Sequence, residues 1–451
     1  MTSRVRWHAR WVLPIVTPPI TDGTVVTEDD RIVWVGPRAS APAGGRDEDL
    51  GDALLTPGLV NAHSHLDLTM MRGFLADLPF FAWVRTLTRA RGAVLESADF
   101  LDAALAGVAE GLRTGITCFG DTAPGDESFE AMRRCGVRGI AYREVFGPDP
   151  ADASGSLAAL KAQVAAMRER ATPLVGVGVS PHAPYSVSDA LYRAVGAWAQ
   201  GEALPVAVHI GESDEEVALV TRGEGPFAGF LRERGIAVEP RAASPLALLQ
   251  AAGLVRPGTL LIHCVHVDDG AAPAIAGAGC GVAHCPVSNA TLGHGIAPLT
   301  ALVAAGARVG LGTDSMASNQ RMDLFEEARV AALQQRARSG RPDPISPRAA
   351  LRLATLGGAE ALRLDALVGS LEAGKQADLA AFEPPADIAG SLEPEAVLVL
   401  AGGPRSLRRV VVAGAERVRD GEVLGADPAV PARVADAAER LNRWRSAGMR
   451  G

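Results

Sequence analysis

The sequence predicts a (β/α)8 barrel with a small β-sandwich lobe formed by both termini. Three observations predict it. Short apolar, β-rich runs alternate with longer helical patterns across residues 56–365. Most histidines stand at the ends of those runs, where the functional face of such a barrel lies. The two ends of the chain, 1–55 and 366–427, share a different texture of short β runs and tight turns, and neither makes a core alone. Residues 428–451 then form a terminal segment whose 431–447 stretch reads as an amphipathic helix.

In order along the chain, residues 23–36 hold two β runs joined by an acidic turn. The eight barrel runs are 59–62, 116–120, 139–145, 174–180, 206–210, 260–263, 281–284 and 307–312. Between them, stretches such as 99–112, 157–170, 188–200 and 245–252 repeat Ala, Leu and charged residues at helical spacing. Eight strands alternating with helices over about 300 residues suit an eightfold barrel. A doubly wound sheet competes, but no Gly-x-Gly-x-x-Gly follows the first run. Residues 369–382 and 408–414 return to the texture of the opening segment, and no repeat at solenoid period is present.

Composition excludes several classes of function. With 48% hydrophobic and 21% charged residues in 451, the chain is not a disordered one. A net charge of −8 without a basic block excludes a nucleic-acid binder. Near the start, Arg4, Arg6 and Arg10 precede Pro14, Pro18 and Pro19, which interrupt any secretory apolar region. The long uncharged stretch 271–307 contains Pro273, His284, Pro286, Asn289, His294 and Pro298, so it suits a buried strand with its loops rather than a membrane span. Five cysteines without Cys-x-x-Cys spacing read as reduced thiols in a cytoplasmic protein. The expected partner is a small-molecule substrate, with no nucleic acid and no membrane, and a homodimer is an allowed assembly.

Six of the nine histidines mark strand ends: His63 and His65 after the first, His182 after the fourth, His209, His263 and His284 closing the fifth to seventh. Asp314 follows the eighth. In His63-Ser-His65 the two-residue pleat sends both imidazoles to one side, so two nitrogens can face one ion. His209 adds a third nitrogen and Asp314 an oxygen. Three histidines and an aspartate with an open position suit one divalent cation, zinc first, with iron or manganese also accommodated. In His209-Ile-Gly-Glu212 the carboxylate is placed to reach a water beside the ion and act as general acid/base. His263 and His266 are three apart, so only one looks into the barrel; His263, closing the apolar run, is that one. The apolar loop 70–83, with Phe80 and Trp83, could cover a planar ring.

Six motifs occur in order: Pro57-Gly-Leu-Val-Asn-Ala-His-Ser-His65, Ser180-Pro-His-Ala-Pro-Tyr-Ser-Val-Ser188, His209-Ile-Gly-Glu212, His263-Cys-Val-His266, Ala283-His-Cys-Pro-Val-Ser-Asn289 and Gly312-Thr-Asp-Ser-Met-Ala-Ser318. Together they resemble the amidohydrolase superfamily, in its cytosine-deaminase and chlorohydrolase-like branch, over nearly the whole chain. The resemblance implies a metal-dependent hydrolase with His63, His65, His209 and Asp314 on one ion. It implies Glu212 as proton shuttle, and His263 with Asp314 orienting the attacking water. It also implies substrate contacts at His182, at Arg143 in the third strand, and at Ser288 and Asn289. Binuclear members bridge their metals with a carboxylated lysine at the end of the fourth strand. The only lysines here are Lys161 and Lys375, neither within 174–180, which argues for one metal.

The implied reaction is hydrolytic deamination of a purine-type ring. S-Adenosylhomocysteine and methylthioadenosine deaminases of this branch carry a ribose-binding glutamate several residues after the tryptophan. Here Arg91 or Gly92 stands there and Glu96 comes late. The 79–83 and 142–145 segments look more like the aminodeoxyfutalosine deaminases of menaquinone biosynthesis. A chlorohydrolase or cyclic amidase would use the same site, and a scaffold that lost its ligands is the non-enzyme alternative.

Overall fold

Alternation sets the first sheet. In Arg4-Val-Arg-Trp-His-Ala-Arg-Trp-Val12, Val5, Trp7 and Ala9 are buried on one face, while on the other Arg4, Arg6 and Arg10 are half-buried and His8 is buried against Thr24. This strand, β1 (Arg4–Val12), is followed by β2 (Ile20–Glu28), β3 (Arg31–Pro37), β4 (Arg46–Asp49) and β5 (Leu54–Pro57). The barrel strands come next: β6 (Leu59–His65), β7 (Ile116–Ala123), β8 (Arg138–Val145), β9 (Val175–Pro181), β10 (Val206–Ile210), β11 (Thr259–His263), β12 (Gly281–His284), β13 (Arg308–Leu311) and β14 (Asp314–Ser315). The chain then returns through β15 (Leu379–Phe382), β16 (Leu407–Val412), β17 (Ala415–Arg419) and β18 (Glu422–Val423). The computed structural model describes residues 3–268, 270–384, 388, 393–403 and 407–448. Residues 385–387, 389–392 and 404–406 of the expected lobe, and 449–451 of the expected terminal segment, lie outside the described residues.

The terminal strands make one sheet in the order β18-β17-β16-β15-β5-β1-β2-β3, with β4 also on β1. Its seam is the antiparallel pairing of β5 with β15, Leu55 opposite Ala381. Trp7, Val12, Val25, Ile32, Leu55, Leu379 and Val411 share a core of their own. The two ends of the chain thus form one lobe.

The second sheet is entirely parallel, in the order β13-β12-β11-β10-β9-β8-β7-β6-β14. The eighth barrel strand is broken. β13 pairs β12, then Gly312 and Thr313 intervene, and β14 pairs β6 with Asp314 opposite Ser64. A Cβ at Gly312 would lie 2.9 Å from His63 Cβ and 3.0 Å from Cys285 Sγ, so the break requires glycine. Val60, Ala62, Cys118, Ile140, Tyr142, Ala207 and Ile262 pack together in the strands' interior layer and leave the C-terminal ends for polar groups.

Helices α1 (Phe80–Val94), α2 (Ser97–Arg113), α3 (Glu127–Cys135), α4 (Ala153–Arg168), α5 (Asp189–Gly201), α6 (Asp214–Arg222) and α7 (Pro226–Glu233) follow the first strands, short helices follow most of the rest, and a 16-residue helix, Leu324–Ser339, follows β14. The expected loop over 70–83 is in part helix. Pro79 is the N-cap of α1, and Phe80 and Trp83 occupy its first turn. The terminal helix Val430–Ser446 buries Ala437 and Leu441 in a cluster with Phe80 and Trp83, and Arg433 pairs with Asp102 of α2 at 2.7 Å. Among the described residues, no helix is long and apolar enough to cross a membrane.

Candidate active site

Four elements deliver the buried polar cluster at the C-terminal strand ends. β6 brings His63 and His65, β10 brings His209, β11 brings His263 and β14 brings Asp314. His63 Nε2 lies 3.2 Å and His65 Nε2 3.5 Å from Asp314 Oδ1. His65 Nε2 and His209 Nε2 are 3.3 Å apart. Asp314 and His263 adopt the left-handed region, with φ of 56° and 73°, a conformation that non-glycine residues hold only where the surroundings enforce it.

Burial keeps these imidazoles neutral. It brings His63 down to about 4, outweighing the Asp314 hydrogen bond, and it lowers His65 and His209 as well. His209 Nδ1 faces the His182 carbonyl at 3.2 Å, a contact only a protonated Nδ1 can make, so Nε2 presents a lone pair toward His65. Two neutral nitrogens 3.3 Å apart and a carboxylate oxygen need a shared positive charge. A divalent cation supplies it, and the three-nitrogen, one-oxygen set fits zinc, iron or manganese. Three further bonds orient the donors from behind: Ser288 Oγ and Ser318 Oγ donate to Asp314 Oδ2 at 2.5 and 3.2 Å, and the His182 carbonyl fixes His209. Neither lysine joins this cluster: Lys161 Nζ lies over the Trp198 ring and Lys375 pairs with Glu372.

Glu212 stands beside the donors, fully buried. Its Oε1 lies 3.6 Å from His263 Nε2 and 3.5 Å from His294 Nε2, and the Tyr185 hydroxyl donates to Oε2 at 3.4 Å. Burial pushes its pKa up, but His263 and His294 outweigh that and hold it below the usual value. Glu212 is therefore ionised and able to accept a proton at neutral pH. Asn289 Oδ1 accepts from His263 Nδ1 at 2.9 Å and turns His263 Nε2 toward Glu212.

A cavity of about 690 Å³ opens above the cluster. His65, His182, His209, Glu212, His263 and Asp314 line its floor, and Phe80, Trp83, Tyr185 and Phe227 its wall. His182, Phe80 and Trp83 thus line this cavity. Three expected substrate contacts do not. Arg143 directs its Nε to Gln163 of α4 at 3.2 Å, outside the cavity lining, because Tyr142 and Glu144 take the inward positions of β8. Ser288 and Asn289, on a short helix, are buried behind Asp314 and His263 and touch those residues instead.

Sequence reasoning missed His294, Tyr185 and Glu144 in the cavity region. His294 lies between Gly293 and Gly295, both at positive φ, and that flanking pair was the available signal. His266 sits outside, 3.3 Å from Asp214. His284 is buried, and burial lowers its pKa to about 3. Glu144 is raised to about 8 by burial and by Asp67.

The sequence profile of the amidohydrolase family matches residues 54–417. A 5-methylthioadenosine/S-adenosylhomocysteine deaminase of Moorella thermoacetica is 33% identical over 91% of this chain and 93% of its own length. An adenosine deaminase of Xanthomonas campestris, solved with bound zinc, superposes with a TM-score of 0.86 at 30% identity, covering 98% of this chain and 99% of that one. A Helicobacter pylori aminofutalosine deaminase shares the fold, with a TM-score of 0.81 at 21% identity over 92% of this chain and all of that one.

Proposed function

This chain belongs to the amidohydrolase family, and from that premise we propose that it is a metal-dependent deaminase, releasing the 6-amino group of a purine nucleoside as ammonia. One observation carries the reading: an ionised, buried Glu212 stands beside a converged three-histidine, one-aspartate donor set at the floor of a cavity of about 690 Å³.

His63, His65, His209 and Asp314 would hold the ion. When bound, such an ion supplies Lewis acidity that lowers the pKa of water toward about 7. His263, turned by Asn289, and Asp314, steadied by Ser288 and Ser318, orient the attacking water at the amino-bearing ring carbon. Glu212 accepts the water proton and returns it to the adjacent ring nitrogen. The carbon then carries hydroxyl and amino groups together. Transfer of the hydroxyl proton to the amino group lets ammonia leave and restores the ring as the oxo product.

The best substrate match is aminodeoxyfutalosine, an adenine nucleoside whose far end is an aromatic carboxylate. Support comes from the cavity mouth, where the Arg85 guanidinium stacks 5.7 Å from Phe81 and 5.0 Å from Phe230, and Arg234 lies 5.7 Å from Phe230. Arginine on aromatic faces receives both a ring and its carboxylate. A second reading, S-adenosylhomocysteine or methylthioadenosine, is favoured by the names of the similar deaminases. Among the described lining residues, however, the carboxylates are Glu144, Glu212 and Asp314, all deep, so the mouth offers no partner for a homocysteine ammonium.

The test is an ammonia-release screen of metal-loaded protein. Aminodeoxyfutalosine should give a higher kcat/KM than S-adenosylhomocysteine, methylthioadenosine or adenosine. Turnover of cytosine, guanine or a chlorotriazine with none of these adenine nucleosides would replace the reading.

A further inference from the structure

The cavity holds one buried carboxyl that the deamination chemistry leaves unused. Glu144, at the end of β8, is 6% exposed, lines the cavity, and has no hydrogen-bond partner at Oε1 among the described residues. Such a group costs stability unless a ligand satisfies it. Of the three carboxylates among the described lining residues, Asp314 belongs to the donor set and Glu212 to proton transfer. The nearby Arg91 guanidinium is already held by Asp67 at 2.8 Å.

Position gives Glu144 its role. His182, on the segment after β9, stands between Glu144 and Glu212. Its Nδ1 is taken by Ser186 at 2.7 Å, while its Nε2 faces Glu144 Oε1 at 4.0 Å. Glu144 and Glu212 come from strands two apart, about 10 Å at the backbone. That is about the distance from the reacting-ring nitrogen of a purine to its ribose hydroxyls. A carboxyl presents two oxygens, the complement of a vicinal diol.

We infer that Glu144 recognises the sugar, its carboxyl engaging the ribose hydroxyls of the nucleoside while Glu212 serves the ring. This rests on the reading of the chain as a purine-nucleoside deaminase. Glu144, His182 and His209 also offer donors within 4.8 Å of one another, the spacing a cation needs, so metal content is the control.

The experiment is a double cycle on enzyme and substrate. Adenosine, 2′-deoxyadenosine and 3′-deoxyadenosine are compared on wild type, Glu144→Gln and Glu144→Ala, with metal content measured for each protein. In wild type, loss of a hydroxyl should lower kcat/KM about tenfold or more. In Glu144→Ala that penalty should shrink to within about twofold, and Glu144→Gln should fall between, with metal content unchanged throughout. An equal deoxy penalty in all three proteins would show that Glu144 does not touch the sugar, leaving the deaminase reading intact. Loss of a metal equivalent from either variant would make Glu144 a ligand and overturn the inference. If wild type deaminates no adenine nucleoside at all, the deaminase reading fails and the inference falls with it.

Discussion

The two ends of the barrel strands treat buried charge in opposite ways. At the N-terminal end, Arg138 and Asp378 are 3% and 2% exposed and form a bidentate pair at 3.0 and 3.1 Å. The Ala413 amide adds a bond to Asp378 Oδ1 at 2.8 Å, so the pair joins β8 to the terminal lobe with its charges spent on each other. At the C-terminal end, buried His63 Nδ1, His263 Nε2 and Glu144 Oε1 have no hydrogen-bond partner among the described residues. His263, Cys264 and Asp314 hold left-handed backbone there. At one end a buried charged pair is closed on itself and holds two parts of the chain together. At the other, atoms of buried charged and ionisable groups are left without hydrogen bonds, at a cost in stability.

Variants at the two ends should separate these behaviours, and the largest effect belongs to the open end. His63→Ala or Asp314→Ala should remove the expected one divalent ion per chain and reduce ammonia release to background. Elemental analysis decides it: full metal in both variants would break the ligand assignment, and two ions in wild type would break the argument from the missing lysine. Next, Glu212→Gln should keep the metal and lower turnover by roughly 10²–10⁴. Wild-type turnover would take Glu212 out of the chemistry.

At the closed end the effect should be on stability alone. Arg138→Met leaves Asp378 buried without its cation and should destabilise the fold by about 3–5 kcal/mol, with metal content and KM unchanged. Thermal or denaturant unfolding measures it, and an altered KM with undiminished stability would erase the distinction between the two ends. The smallest effect is expected at Arg143, which faces α4. Arg143→Ala should shift KM by less than about twofold. A large rise would restore it to the substrate.

Much of the candidate site was legible in the sequence because its polar groups stand at strand ends. Histidines at successive run ends, and Asp314 after the last, need only the period of the barrel to converge. Arg143 was misplaced for an equally local reason. β8 is covered on both faces, and in Gly139-Ile-Ala-Tyr-Arg-Glu-Val145 the apolar residues do not alternate, so its sequence carries no parity signal. A slip of one residue exchanges Arg143 for Glu144. Ser288 and Asn289 were legible as part of a motif, but whether a side chain meets the substrate or supports a ligand depends on the helix that carries it. His294 and Tyr185 sit on connections whose path only the assembled barrel defines.

The seam of the terminal lobe has a consequence for how the protein is made. Leu55 of β5 pairs with Ala381 of β15, so β5 waits for a strand made hundreds of residues after it. At translation rates of roughly 5–20 residues per second, that wait is about 16–65 s. During it β1, β2 and β3 can form their hairpins, but the edge of β5 stays unpaired, and an open edge recruits other strands. Ribosome-stalled chains ending near residue 370 should therefore be cut readily by protease within 1–57, while chains stalled beyond 425 with the lobe clear of the exit tunnel should resist. Until β15 emerges from the ribosome, the nascent chain carries an open strand edge along β5.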